Sequence, residues 1–100
     1  MNLIYPVIFT EINDKKKTVL VEIPDLNGIT EGYGIADAIS MAKDYIGNVL
    51  FDKPDSEIPH ASEIDSIDIS KSEFANAGKT FVSLVDMDLN LFRRMEKSRN

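Results

Sequence analysis

A run of apolar residues at helical spacing constrains the fold of this chain more than any other feature. The run lies between Ile35 and Asp52, where apolar side chains recur at steps of three and four residues: Ile35, Ala38, Ile39, Ala42, Ile46, Val49 and Leu50. Such spacing aligns them in one stripe of an α-helix, and the stripe needs an apolar surface to pack against. We therefore predict a helix over residues 35–52 that lies across a sheet.

Strand patterns on both sides of this helix supply the sheet. Apolar residues alternate or run continuously in four segments: residues 3–12, 18–23, 29–33 and 81–89. The first two are separated by five polar residues, which predicts an antiparallel hairpin. Pro6 cannot donate a hydrogen bond to a neighbouring strand, which favours an edge position or a bulge there.

The order of these elements predicts the fold class. Three strands, a helix, an irregular segment, a strand and a final helix indicate an α+β domain. We expect a three-to-four-stranded, mostly antiparallel sheet with one main helix packed on a face, in a single domain over residues 1–100. Residues 53–80 carry no clear pattern, and Ile64, Ile67 and Ile69 fit either a helical turn or a strand. Residues 91–100 are predicted to form a short basic C-terminal helix.

Composition and charge exclude several classes of function. The chain has no cysteine, which rules out disulfides, thiolate catalysis and cysteine-based zinc sites. Residues 1–92 hold 7 Lys and Arg against 16 Asp and Glu, a net charge of −9. An acidic body repels nucleic acid phosphates and attracts a basic partner, although net charge also serves solubility alone. Without a long apolar run or a signal peptide, the expected location is the cytoplasm.

Side chains suited to catalysis are sparse. His60 is the only histidine; it lies in a loop, which favours a solvated residue over a catalytic base or metal ligand. Asp86 and Asp88 lie two residues apart on the last strand, and Glu22 could adjoin them as in a metal-dependent nuclease. The middle of the first strand, however, carries no acidic residue. We expect no enzyme activity, no metal and no cofactor, with a divergent nuclease as an alternative.

A basic segment ends the chain and leaves a second alternative open. Four cations lie there, at Arg93, Arg94, Lys97 and Arg99. They are typical of a helix C-terminus, where positive charge suits the helix dipole. They also fit an RNA- or DNA-binding regulator, although Phe92 is the only aromatic residue among them that could stack on a base.

Several motifs in order along the chain resemble the HicB-like antitoxin family. They are Tyr5-Pro6-Val7-Ile8-Phe9, Pro24-Asp25-Leu26-Asn27-Gly28, Thr30-Glu31-Gly32, Ala38 with Ala42, and the strand from Phe81 to Leu89. Each motif is modest alone, whereas their order and spacing make the resemblance fairly specific. Two features depart from the family: Asn27 replaces the usual second proline of the turn, and the chain stops at Asn100, where longer members continue into a DNA-binding domain.

The resemblance implies a fold and a function. It implies the toxin-neutralising N-terminal domain of an antitoxin, with a reduced ribonuclease-H-like fold that has lost nuclease activity. It implies a small basic ribonuclease as partner, the HicA-like mRNA interferase, and a homodimer or higher homo-oligomer. No complete DNA-binding domain is expected within the 100 residues. Asp25 and Glu31, beside the matching motifs, are the candidate toxin contacts, and Asp14 in the first hairpin turn is expected to lie far from them.

Overall fold

Four strands and two helices account for the regular structure of residues 2–98, the part of the chain that the computed structural model describes. In chain order they are β1 (Asn2–Glu11), β2 (Thr18–Ile23), β3 (Gly28–Tyr33), α1 (Ile35–Leu50), β4 (Lys79–Asp88) and α2 (Leu89–Ser98). The predicted α+β class is confirmed. The boundaries differ slightly: α1 ends two residues earlier than predicted, and Leu89 opens α2 instead of closing β4.

The strands form one antiparallel sheet in the order β3-β2-β1-β4. The predicted hairpin of β1 and β2 is confirmed, with Ile8 opposite Glu22. β1 also pairs with β4 along its whole length, so it is a central strand without a bulge. The expected edge position is confirmed at Pro6 itself, where the β2 side of β1 is unpaired, although the strand as a whole is central. Pro6 is tolerated because the pairing with β2 covers only Ile8–Glu11 and does not reach it.

The apolar stripe of α1 is buried against one face of the sheet, as predicted. Ala38, Ala42 and Ile46 are fully buried, and they pack with side chains of β1, β2 and β4 in a single core. Burying one isoleucine side chain contributes about 1.5–3 kcal/mol. The helix approaches β3 closely at Gly32, where a Cβ atom would lie 2.6 Å from the backbone of Ala38. A larger residue there would push the helix off the sheet.

The second helix explains a glycine that lowers the helix propensity of α1. Gly47 lies in α1 and is buried, and a side chain there would collide with the ring of Phe92 in α2. Phe92 also contacts the ring of Phe51, with 6.3 Å between centroids. The missing side chain at position 47 therefore makes room for α2 to pack against α1.

The opposite face of the sheet is partly covered by the irregular segment. Short 3-10 turns occur at Ile64–Ser66 and Ile69–Lys71, and both contact β4. These turns decide between the two alternatives that the isoleucines of this segment left open. Thr10 is buried on this face and shares a 2.9 Å hydrogen bond with Thr80.

Candidate interaction surface

One strand carries an exposed surface that combines apolar and acidic side chains. β3 alternates, so Gly28, Thr30 and Gly32 face α1 while the other three residues face away from it. Those three, Ile29, Glu31 and Tyr33, are all exposed, and we call them the β3 outer face. Ile29 is 47% and Tyr33 54% exposed, which is high for residues of this size.

Carboxylates surround the aromatic ring of this surface. The Tyr33 hydroxyl donates a 3.1 Å hydrogen bond to Glu31 Oε2, and its backbone N–H donates a 2.8 Å bond to Asp37 Oδ2. The hydrogen bond to Glu31 raises the pKa of the Tyr33 phenol, and the charges of Glu31, Asp14 and Asp37 raise it further. An exposed ring within negative potential is suited to a basic side chain of another protein, through charge and through cation–π contact.

The structure places Asp14 close to this surface, contrary to expectation. β2 and β3 are antiparallel, so the turn that opens β2 lies at the same end of the sheet as the end of β3. A backbone hydrogen bond of 2.8 Å from Gly34 N to Lys17 O holds the turn there. Asp14 is itself fixed by Thr18, which donates to it from its backbone and its hydroxyl. Asp14 therefore belongs to the acidic surroundings of Tyr33.

Asp25, the other candidate contact, is hydrogen-bonded to the irregular segment within the domain. Both of its carboxylate oxygens accept hydrogen bonds from Ser62, at 2.9 Å from the backbone N–H and 2.5 Å from the hydroxyl. Nearby, the Tyr5 hydroxyl donates a 2.6 Å bond to the carbonyl of Pro59. Burial raises the pKa of Tyr5, and the charge of Asp25 adds to this. The carboxylate thus anchors the irregular segment to the turn before β3, whereas Glu31 lies farther along β3.

Of the four basic residues near the end of the chain, Arg93 is hydrogen-bonded to other parts of the domain, and two others are exposed. The Arg93 guanidinium donates to the carbonyls of Phe51 and Lys53, at 3.1 and 2.8 Å, and to Asp55 at 3.2 Å. It therefore fastens α2 to the loop after α1, a role that sequence reasoning missed. Arg94 and Lys97 are exposed on α2, and Arg99 lies outside the described residues. Any nucleic acid contact through α2 would have to rely on the exposed pair.

The acidic residues considered for metal binding do not converge. An oxygen of the Asp86 carboxylate lies 3.9 Å from Lys43 Nζ. Asp88 accepts a 3.1 Å hydrogen bond from the backbone N–H of Leu91. Glu22 accepts a 3.3 Å hydrogen bond from the backbone N–H of Glu73. Over residues 2–98, no group of three histidine, aspartate or glutamate side chains is arranged to hold a metal ion. His60 is exposed in its loop. The nuclease alternative gains no support from this geometry.

The sequence singled out Glu31 as a candidate contact but not its neighbours Ile29 and Tyr33, which the structure places on the same exposed face. Their spacing of two residues on either side of Glu31 was a usable signal, because such residues share a strand face. What the sequence could not show is that this face of β3 is uncovered. Neither helix within residues 2–98 has the length and apolar character needed to span a membrane.

Comparison with known proteins gives one informative similarity. No family model and no curated protein matches the chain. A chain in a solved toxin–antitoxin complex from Streptococcus pneumoniae superimposes with a TM-score of 0.77 at 25% sequence identity. The match covers 92% of this chain and 73% of the other. The similarity therefore extends over most of the chain, beyond a shared local motif.

Proposed function

We propose that this domain is the antitoxin of a toxin–antitoxin pair and neutralises a small, basic, HicA-like mRNA interferase by binding it directly. The observation that carries the proposal is the structural similarity, over 92% of the chain, to a chain of a toxin–antitoxin complex. It agrees with the order of the HicB-like motifs in the sequence. Within the proposal the domain acts by binding and has no enzymatic activity of its own.

Charge supports the antitoxin as the member of the pair. A toxin that cleaves RNA has to attract a polyanion, whereas residues 1–92 of this chain carry a net charge of −9. The same charge favours the approach of a basic toxin, because opposite fields steer association. A cytoplasmic location belongs to this proposal, since mRNA is the toxin's substrate.

We place the toxin contact on the β3 outer face. Its isoleucine and tyrosine can be buried by a partner, and Glu31 can pair with a lysine or arginine at the same place. Aromatic residues surrounded by complementary polar groups commonly contribute most to an interface. Both carboxylate oxygens of Asp25 already accept hydrogen bonds from Ser62. In the proposal, Asp25 therefore attracts the toxin by its negative charge instead of by a direct hydrogen bond.

Charge reversal tests this contact. We expect Glu31→Lys to slow association with the toxin and to weaken affinity at least tenfold, because it places a cation against a basic partner. Asp52→Lys is the matched control: Asp52 is exposed and lies beyond the far end of α1, roughly 24 Å along the helix from its start beside Tyr33. That variant should lose much less affinity. Asp14 is unsuitable as a control, because it contributes to the potential at Tyr33.

The experiment combines growth and binding. The domain is co-expressed with the toxin encoded beside it, growth is recorded, and the purified pair is studied by surface plasmon resonance. Rescue of growth and co-purification are the expected results. If neither occurs, the antitoxin function is wrong. If both occur but Glu31→Lys and Asp52→Lys behave alike, the function stands and the contact lies elsewhere.

A further inference from the structure

The ring of Tyr33 is more than half exposed and has a carboxylate on each of two sides. Tyr33 and Thr18 lie opposite each other in β3 and β2, so their side chains share the outer face of the sheet. Thr18 holds the Asp14 carboxylate through two hydrogen bonds. The Tyr33 hydroxyl donates to Glu31. The ring therefore has one carboxylate at its hydroxyl end and another across the strand pair.

Both carboxylates remain able to bind a ligand. The hydrogen bonds from Thr18, above all the one from its backbone, lower the pKa of Asp14, so this group stays charged. A carboxylate offers about four acceptor positions, and Asp14 uses two of them for Thr18. The hydroxyl bond to Glu31 ends on Oε2 and leaves Oε1 available. Within residues 2–98, no lysine or arginine forms an ion pair with either carboxylate.

The shape of this site distinguishes between the two basic side chains. A guanidinium group is planar and can lie flat on an aromatic ring. Its N–H groups then point outward in its own plane, towards carboxylates at the margin of the ring. It is also weakly hydrated, so it loses little on leaving water. An ammonium group is compact and strongly hydrated, and it cannot stack in this way. The arrangement therefore favours arginine over lysine.

We infer that the β3 outer face recognises an arginine side chain of the toxin, stacked on Tyr33 and bonded to Glu31 and Asp14. The inference rests on the proposed function for the identity of the partner, and the net charge of −9 over residues 1–92 complements a basic one. Ile29 lies four residues from Tyr33, roughly 13 Å along the strand, and is 47% exposed. The partner should therefore present an apolar side chain at about that distance from its arginine.

An NMR titration tests the preference for arginine without any toxin. The probes are N-acetyl-arginine methylamide and N-acetyl-lysine methylamide, compared at equal ionic strength. The shifts of the Tyr33 ring protons should saturate at a concentration about threefold lower with the arginine derivative. The ring protons of Tyr5, which is buried, should not respond. An equal response to both derivatives, or no response at Tyr33, would overturn the inference.

Substitutions on the domain test the stacked geometry. Tyr33→Phe keeps the ring and should keep the preference, whereas Tyr33→Leu should abolish it. Glu31→Gln should weaken binding of the arginine derivative about twofold. Glu57→Gln, the same charge change beyond the far end of α1, should have no effect. All three positions are exposed, and circular dichroism checks that the fold is kept. Survival of the preference in Tyr33→Leu, or its loss in Tyr33→Phe, would contradict stacking.

The two tyrosine variants also separate this inference from the proposed function. In a complex with the toxin encoded beside the domain, Tyr33→Leu should weaken affinity about tenfold and Tyr33→Phe should change it little. A neutralising complex in which both variants bind equally well would overturn the arginine contact and leave the antitoxin function intact. If the free domain selects arginine but forms no toxin complex, the function is wrong and, with it, the assignment of the arginine to a toxin.

Discussion

At the scale of single residues, Gly47 shows how packing can override helix propensity. Alanine in place of glycine inside a helix normally stabilises by about 1 kcal/mol. At this position the added methyl group would collide with Phe92, and overpacking costs about 1–3 kcal/mol. The steric effect is therefore expected to win.

Gly47→Ala is accordingly predicted to lower the free energy of unfolding by about 1 kcal/mol, measured by urea denaturation. Asn48→Ala, the neighbouring exposed position in α1, serves as control and should be neutral or slightly stabilising. In a Phe92→Ala background, where the ring is absent, the sign should reverse and Gly47→Ala should stabilise. If the sign is the same in both backgrounds, the contact with Phe92 does not determine the residue at position 47.

At the scale of elements, α2 is held to the rest of the domain by one arginine as well as by apolar packing. Arg93 donates to two backbone carbonyls and one carboxylate in the segment after α1. Each such bond contributes about 0.5–1.5 kcal/mol when partly buried, and its ion pair with Asp55 adds little at this exposure. The arginine therefore acts mainly through its geometry, which a lysine cannot reproduce.

We expect Arg93→Met to destabilise the domain by about 1 kcal/mol and to increase hydrogen exchange in α2. Arg94→Met removes the same charge from an exposed position one residue away and should change neither. The pair also tests the nucleic acid alternative. If α2 binds RNA, Arg94→Met should weaken that binding although it leaves stability intact; equal losses of stability in both variants would contradict the fastening role of Arg93.

At the scale of the whole molecule, the uneven charge should govern how fast a basic partner is captured. The acidic body acts at distances beyond direct contact, and salt screens this long-range attraction while affecting a desolvated contact less. In the complex with the proposed toxin, the association rate should therefore fall several-fold between roughly 50 and 300 mM salt, with little change in the dissociation rate. Stopped-flow fluorescence measures both. A salt effect confined to dissociation would show that steering is unimportant.

Local pattern was sufficient to predict the four strands and the two helices of this protein, but not the turns within residues 53–80. Apolar side chains are buried together when they share one face of a helix or strand. Which residues share a face depends on their spacing along the chain, and this spacing predicted the stripe of α1 and the alternation in the strands. The α+β class followed from their order. The resemblance to HicB-like antitoxins likewise rested on short motifs, and it directed attention to Glu31.

Only the tertiary structure decided which faces and edges remain free. The order of the strands in the sheet places β4 at an edge and makes β1 a central strand despite Pro6. The sequence could not predict this order, because pairing between strands that are distant in the chain cannot be deduced from local alternation. The tertiary structure also brought Asp14 to the neighbourhood of Tyr33 and gave Asp25 to Ser62. Ile29, Tyr33 and Leu84 are exposed because no other described part of the chain covers them. That is a property of the assembled sheet, because burial depends on residues that are distant in the sequence and close in space.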